Sequence, residues 1–135
     1  MATRSSLTGS SEAVLRLRGM RGFLEGEECM LRRGDEIIVG RSRSADLSIR
    51  RSTKFLERAD RHEVAQSEAY RTVSRRHARI AFYRPDHIVI EDLSSNGTFV
   101  DGVRVKGKCN ITDLAACAHV LTLGAVERIQ LDLIT

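Results

Sequence analysis

The 135-residue chain has no tryptophan, one proline and aromatic residues at only 4%. So few rings exclude the interleaved aromatic platforms on which single-stranded nucleic acids stack, and no helix-turn-helix or RNP-like string is found. No apolar run approaches the ~20 residues of a membrane-crossing helix, so the chain is not expected to lie in a membrane. The three cysteines, Cys29, Cys109 and Cys117, are odd in number and share no CxxC spacing. Each sits in or beside an apolar stretch, where a thiol packs as a small hydrophobe, and reduced thiols point to the cytoplasm, or the nucleus if the source is eukaryotic. None of His62, His77, His87 and His119 stands at finger or ribbon spacing from a cysteine, so no metal is expected. A GxxxxGK[ST] loop, a GxSxG elbow and a prominent carboxylate pair are all missing. Neither a cofactor nor an enzyme activity is expected. The opening MATRSSLTGSSE lacks the apolar centre of a secretory signal, and residues 1–12 read as a short tail.

What is present describes one soluble domain. Hydrophobic residues make up 41% and charged residues 30% of the chain, an ordinary globular balance in a length that supports one core. The net charge of +4 favours anionic partners, but so mild a surplus fits a discrete anion better than a polymer.

Short segments alternate apolar and polar residues: AVLRLRGM, ECMLRR, DEIIVG, DLSIR, HARIAFY, HIVIEDL, GTFVDG, VRV, HVLTLG and ERIQLDLI. Turn formers separate them at Gly34-Asp35, Arg84-Pro85-Asp86, Asn96-Gly97 and Asp101-Gly102. Many short strands at close spacing predict an antiparallel, all-β sandwich. Arg33-Gly34-Asp35 spells an integrin tripeptide and reads as a turn. One segment departs from the pattern. Residues 50–72 are rich in helix formers and predict an insertion with one or two short helices; Phe55, Leu56 and Ala59 share a helical face, and Asp60 with Glu63 has capping-box spacing. Phe55, Leu56 and Tyr70 are too apolar for a solvated loop, so some are expected to pack on the sandwich.

Three motifs fall at strand-to-loop junctions. Gly40-Arg41 closes the strand Glu36–Val39; by itself it is a tight exit followed by a solvated charge. Ser74-Arg75-Arg76-His77 groups a hydroxyl, guanidiniums and an imidazole in four residues, either an anion site or a polar turn with a structural histidine. Asn96-Gly97, within LSSNGTFVDG, is first of all a hairpin turn, since both residues tolerate positive φ.

Together, IIVGR, VSRRHARI and EDLSSNGTFVDG resemble the forkhead-associated (FHA) domain family, whose motifs are Gly-Arg, Ser-x-x-His and Asn-Gly. The resemblance spans about residues 13–134, with the 50–72 insertion as its main departure. It implies an FHA-type β-sandwich of about eleven strands, over residues 13–135, that binds phosphothreonine peptides in Ser/Thr kinase signalling. The implied partner is a phosphothreonine-containing protein, a kinase or its substrate. By the same resemblance Arg41, Ser74 and Arg75 contact the phosphate, and Asn96, with Ser95 beside it, holds the peptide main chain. His77 braces the loops, and Gly40 and Gly97 serve backbone geometry. The chemistry agrees: a phosphorylated residue brings about −1.5 to −2 charges and three acceptors, which suits forked guanidiniums and a hydroxyl. Arg43, Arg50, Arg51, Arg71, Arg104 and Lys106 flank these motifs and, if they face the groove, favour acidic flanking residues. Thr72 aligns with a position that in the family governs selection and is uncharged. An FHA-like interaction domain that ignores phosphate is the alternative.

Overall fold

The structure is a computed structural model that describes residues 13–58 and 60–135. The tail assigned to residues 1–12, and Ala59, lie outside the described residues. Two sheets face one another. The six-stranded sheet runs in the order β2 (Glu28–Leu31), β1 (Val14–Arg21), β11 (Glu127–Ile134), β10 (His119–Leu123), β7 (Thr98–Val100), β8 (Val103–Arg104). The five-stranded sheet runs β4 (Leu47–Ser48), β3 (Glu36–Gly40), β5 (Ala78–Arg84), β6 (His87–Asp92), β9 (Lys108–Ile111). The expected all-β FHA-type sandwich of about eleven strands is thus the observed architecture.

Alternation explains how the sheets close on each other. Leu15 and Leu17 of β1 and Ile129 and Leu131 of β11 are fully buried, while Arg16 and Asp132, opposite each other in register, pair outside at 2.7 Å. From the other sheet Ile80, Phe82, Ile88 and Ile90 meet them in one cluster. Each such side chain contributes about 1.5–3 kcal/mol by leaving water. A one-residue slip would bring Arg16 inward, so the pattern also fixes register.

Several local expectations are corrected. Strand β9, KCNI, was not among the alternating segments, because only Cys109 and Ile111 face inward, one partly and one fully buried. Strands β3 and β4 pair in parallel, Val39 with Leu47 and Gly40 with Ser48, where an antiparallel arrangement was expected. Asn96-Gly97 is not a hairpin turn: β6 and β7 lie in different sheets, so the chain crosses the sandwich there, and of the two residues only Gly97 has positive φ, 106°. Asp101-Gly102 is the hairpin, with φ of 51° and 84° between β7 and β8.

The inserted segment forms three helical turns, α1 (Thr53–Leu56), α2 (Arg61–Val64) and α3 (Glu68–Arg71), where one or two were expected. Turns this short do not persist on their own. Ser52 and Ser67 cap α1 and α3, their hydroxyls accepting the Phe55 and Tyr70 N–H groups. Packing supplies the rest. The Phe55 ring stacks on Tyr70 at 5.5 Å and meets the edge of Phe23 at 6.0 Å, and Val64 is buried. Leu56, assigned to the same face as Phe55, is instead exposed.

At the far end of β7 and β10, His119 joins two loops. Its Nδ1 meets the Asp101 carboxylate and its Nε2 lies 2.7 Å from Asp113 Oδ1. Cys117, expected within an apolar stretch, is exposed, with its Sγ 3.8 Å from His119 Nε2. The ligand-type atoms of Asp113, Cys117 and His119 lie within 4.8 Å of one another, a grouping that cysteine and histidine spacing alone did not reveal. The hydrogen bond that His119 donates to Asp101 raises the His119 pKa against the opposing effect of partial burial. His119 in turn lowers Asp113. Partial burial would raise Asp101, but its bonds to His119 and the Val120 N–H hold it below the usual carboxylate value.

A raised histidine pKa stabilises the fold fully below the unfolded value and loses this as pH rises through the folded one. Lowered carboxyl pKa values stabilise above the unfolded carboxyl value and lose it as pH falls through the folded one. His119→Gln is therefore expected to lower the urea midpoint most between about pH 5 and 6, with a difference that shrinks towards about pH 9. Equal differences at both pH values would show that charge is not what this cluster contributes.

Candidate functional site

Three chain segments meet at the end of the sandwich where β3 stops. The loop after Gly40 pairs with the segment before β5 through Arg41 N–H to Ser74 O, 2.9 Å, and Ser42 N–H to Arg75 O, 3.1 Å. Gly40 is needed for this approach: a Cβ there would stand 2.2 Å from the Arg75 carbonyl oxygen, closer than any side-chain carbon sits to backbone.

His77 joins the third segment. It is fully buried; its Nδ1 accepts the Ser74 N–H at 3.0 Å, which leaves Nε2 protonated to donate to Gly97 O at 2.8 Å. Burial lowers the His77 pKa, against opposing contributions from the Gly97 carbonyl and Asp92, so the ring is neutral and each nitrogen has one defined role. No carboxylate bonds to this ring; two backbone groups orient it instead.

The loop carrying Asn96 is built by Asp92, Ser94 and Thr98, residues that the three motifs themselves do not mark. Burial would raise the Asp92 carboxyl, but one of its oxygens accepts the Ser94 N–H at 3.0 Å, the Ser94 hydroxyl at 2.6 Å and the Thr98 hydroxyl at 2.8 Å, and the net shift is downward. The Ser94 hydroxyl oxygen accepts the Gly97 N–H at 2.8 Å. Thr72 ties this loop to the insertion: its carbonyl accepts Asn96 Nδ2 at 3.3 Å, and its hydroxyl donates to Glu68 O and accepts the Ala125 N–H. The Asp-x-Ser spacing of an Asx turn, Asp92 to Ser94, was the available signal for this loop.

Arg41, Ser74, Arg75, Ser95 and Asn96 all line one cleft of about 510 Å³, together with Arg71 and Arg76. Ser74 Oγ accepts the Ser95 N–H at 3.1 Å, so its own proton remains available to an incoming acceptor. Tyr70, from α3, lies under Arg41, with the guanidinium carbon 5.0 Å from the ring centroid. Such stacking uses the face of the guanidinium and leaves the N–H donors at its edge free. Of the flanking basic residues, Arg71 reaches this cleft, and Arg43 and Arg50 line a neighbouring one with Arg41 and Arg75. Arg51 turns instead to loop carbonyls, and Lys106 lines a separate surface pocket beside Val103. Gly97 and Arg104 approach one another behind the Asn96 loop.

Over residues 37–121, more than half its length, the chain matches the FHA domain profile. The chain belongs to the FHA domain family. A search of curated proteins finds no match. Among solved structures, this FHA domain is similar to one from an Arabidopsis thaliana hypothetical protein, at 24% identity and a TM-score of 0.65, covering 98% of this chain and 96% of that one. It is also similar to the FHA domain of the CT664 protein of Chlamydia trachomatis, at 23% identity and a TM-score of 0.60, covering 90% and 97%. A third FHA domain, one with phosphothreonine-dependent interactions, is 26% identical with a TM-score of 0.56, covering 87% and 94%. FHA domains are interaction modules.

The packing of this end makes two substitutions informative. His77→Ala is expected to cost about 2–4 kcal/mol, because it leaves the buried Gly97 carbonyl and the part-buried Ser74 N–H unpaired and opens a cavity. Gly40→Ala is expected to leave the sheets folded but to displace the Arg75 backbone. Urea denaturation measures the first. Amide chemical shifts confined to residues 40–42 and 74–77 are the expected sign of the second, and a spectrum unchanged there would contradict it.

Proposed function

We propose that this FHA domain is a phosphothreonine-peptide-binding module that mediates phosphorylation-dependent protein–protein interaction in Ser/Thr kinase signalling. The observation that carries this reading is the convergence of guanidiniums, a free hydroxyl proton and a side-chain amide on one cleft whose loops are held together by hydrogen bonds, the one from His77 to Gly97 buried. Among the described residues, no carboxylate lies within ion-pair distance of Arg41, Arg71, Arg75 or Arg76. The site holds donors in excess of its own acceptors, as an anion-binding site must.

Arg41 and Arg75 supply forked donors to the phosphate oxygens, and the Ser74 hydroxyl adds a third contact. Asn96 fixes the peptide backbone by accepting an N–H and donating to a carbonyl, with Ser95 beside it. Gly40, His77 and Gly97 support the site without touching ligand. The loops are bonded to each other before ligand arrives, so little ordering entropy is lost on binding. The phosphothreonine-dependent interactions of the 26% identical FHA domain support this assignment. The pairing of β1 with β11 supports a domain that runs from residue 13 to 135, with 50–72 as its insertion. The proposed partner is a phosphorylated kinase or kinase substrate, met in the cytoplasm. No helix among the described residues is long and apolar enough to cross a membrane.

Arg41→Ala is expected to weaken binding of a phosphothreonine peptide by about 30- to 100-fold, equivalent to roughly 2–3 kcal/mol of charged hydrogen bonding. Ser74→Ala is expected to weaken it less, and neither should move the melting temperature much, since both side chains lie at a loop rim. Calorimetric titration with phosphothreonine, phosphoserine and unphosphorylated versions of one peptide provides the measurement. Equal affinity for all three peptides, or an unchanged affinity in Arg41→Ala, would favour a partner recognised independently of phosphate.

A further inference from the structure

A second cleft adjoins the first across Arg41 and Arg75. Arg41, Ser42, Arg43, Arg50, Tyr70 and Arg75 line it, and its volume is about 440 Å³. Four of these residues are arginines and none is acidic. Four other arginines are neutralised by carboxylates: Arg16 by Asp132, Arg58 by Asp60, Arg79 by Glu36 and Glu91, Arg84 by Asp86. Among the described residues, none of the four guanidiniums in this cleft has a carboxylate within ion-pair distance. Like charges gathered around one concavity repel, and a bound anion removes that repulsion.

The walls are also held in place. Arg51 donates from Nε to Arg43 O at 2.9 Å and from Nη2 to Asp46 O at 3.0 Å and to Ala45 O, which stiffens the loop that presents Arg43. The Arg50 N–H bonds Arg41 O at 3.3 Å, and Ser42 is bonded to Arg75 O. Tyr70 closes one side, fixed by its stack on Phe55. The wall that the insertion contributes is therefore part of the cleft and not a loop passing over it.

We propose that this cleft is a second anion subsite, and that the ligand is a peptide carrying a second phosphorylated residue close to the phosphothreonine. The proposal rests on the phosphothreonine reading of the adjoining cleft. A carboxylate has one charge and engages one guanidinium fork; a phosphate dianion has three terminal oxygens and suits several forks arranged around it. Because the two clefts share Arg41 and Arg75, their anions stand on either side of the same guanidiniums. Anions on the two sides of one guanidinium are within reach of a peptide whose phosphorylated residues are two or three apart, a span of roughly 7 to 10 Å when extended.

The test is a fluorescence anisotropy titration of the full chain at about 0.15 M salt, where non-specific charge attraction is screened. The peptides are unphosphorylated, singly phosphorylated on threonine, or phosphorylated again two or three residues before or after. At least one doubly phosphorylated peptide is expected to bind about tenfold or more tightly than the singly phosphorylated one. The double variant Arg43→Ala/Arg50→Ala is expected to erase that gain and to change single-phosphate binding by less than about twofold. The proposal is overturned by equal affinity for one and two phosphates at every spacing, by a gain that survives in the double variant, or by a single-stranded oligonucleotide that competes as well as the doubly phosphorylated peptide. A singly phosphorylated peptide that binds through Arg41 with no gain from a second phosphate overturns this inference alone. If it binds no better than the unphosphorylated peptide, and Arg41→Ala changes nothing, the phosphothreonine reading falls with it.

Discussion

The end of this FHA domain that carries the arginine clefts depends on one neutral imidazole. His77 accepts a hydrogen bond from the segment that carries Ser74 and donates one to the loop that carries Asn96, and its own backbone N–H is bonded to Val39 O, just ahead of Gly40 and Arg41. Three segments that are far apart in sequence are thereby referenced to a single buried ring. The arrangement works only with one proton on the ring, because a second would replace the acceptor facing Ser74 with a donor. Burial favours the neutral form and so maintains the geometry at neutral pH.

On that frame the domain holds a concentration of positive charge that its own carboxylates do not offset. Acidic residues on these segments are engaged elsewhere: Asp46 accepts the Ile38 N–H, Asp92 accepts from Ser94 and Thr98, and Glu91 pairs with Arg79 on the sheet face. Two devices make this tolerable. Arg41 rests on the Tyr70 ring, which attracts the cation without using its donors. Arg51 directs its charge into loop carbonyls. Stability lost to repulsion is in this way converted into unused hydrogen-bonding capacity at the surface.

Much of this was legible in the sequence, for identifiable reasons. Alternation located the long strands, and the three short motifs marked the loops that converge, since residues at strand exits share one end of a sandwich. What escaped detection lies in tertiary context. Strand β9 has too few apolar residues to stand out, and the parallel β3–β4 pair spans only two residue pairs. The dipeptide Asn96-Gly97 carries the same local signal whether the chain reverses within a sheet or crosses to the other one. Asp92 looks like an ordinary polar residue, and Thr72, marked only by its alignment with a selecting position, gives no local sign of its bonds to Asn96 and Ala125. Cys117 and His119 approach Asp113 because β10 begins where a loop returns, which spacing between cysteines and histidines does not encode.

The pairing of β1 with β11 has an architectural consequence. Val14 lies opposite Ile134, whereas Glu127, at the other end of β11, lies near the turn at Gly124 that bonds to Gly97. An eight-residue strand spans about 25 Å, so residues 14 and 134 sit side by side at the pole opposite the arginine clefts. A polypeptide joined at either point, or a host protein entered and left through both, would carry the domain on a two-stranded stem with its arginine clefts facing outward. Such a module can be spliced into unrelated contexts without rebuilding its binding loops.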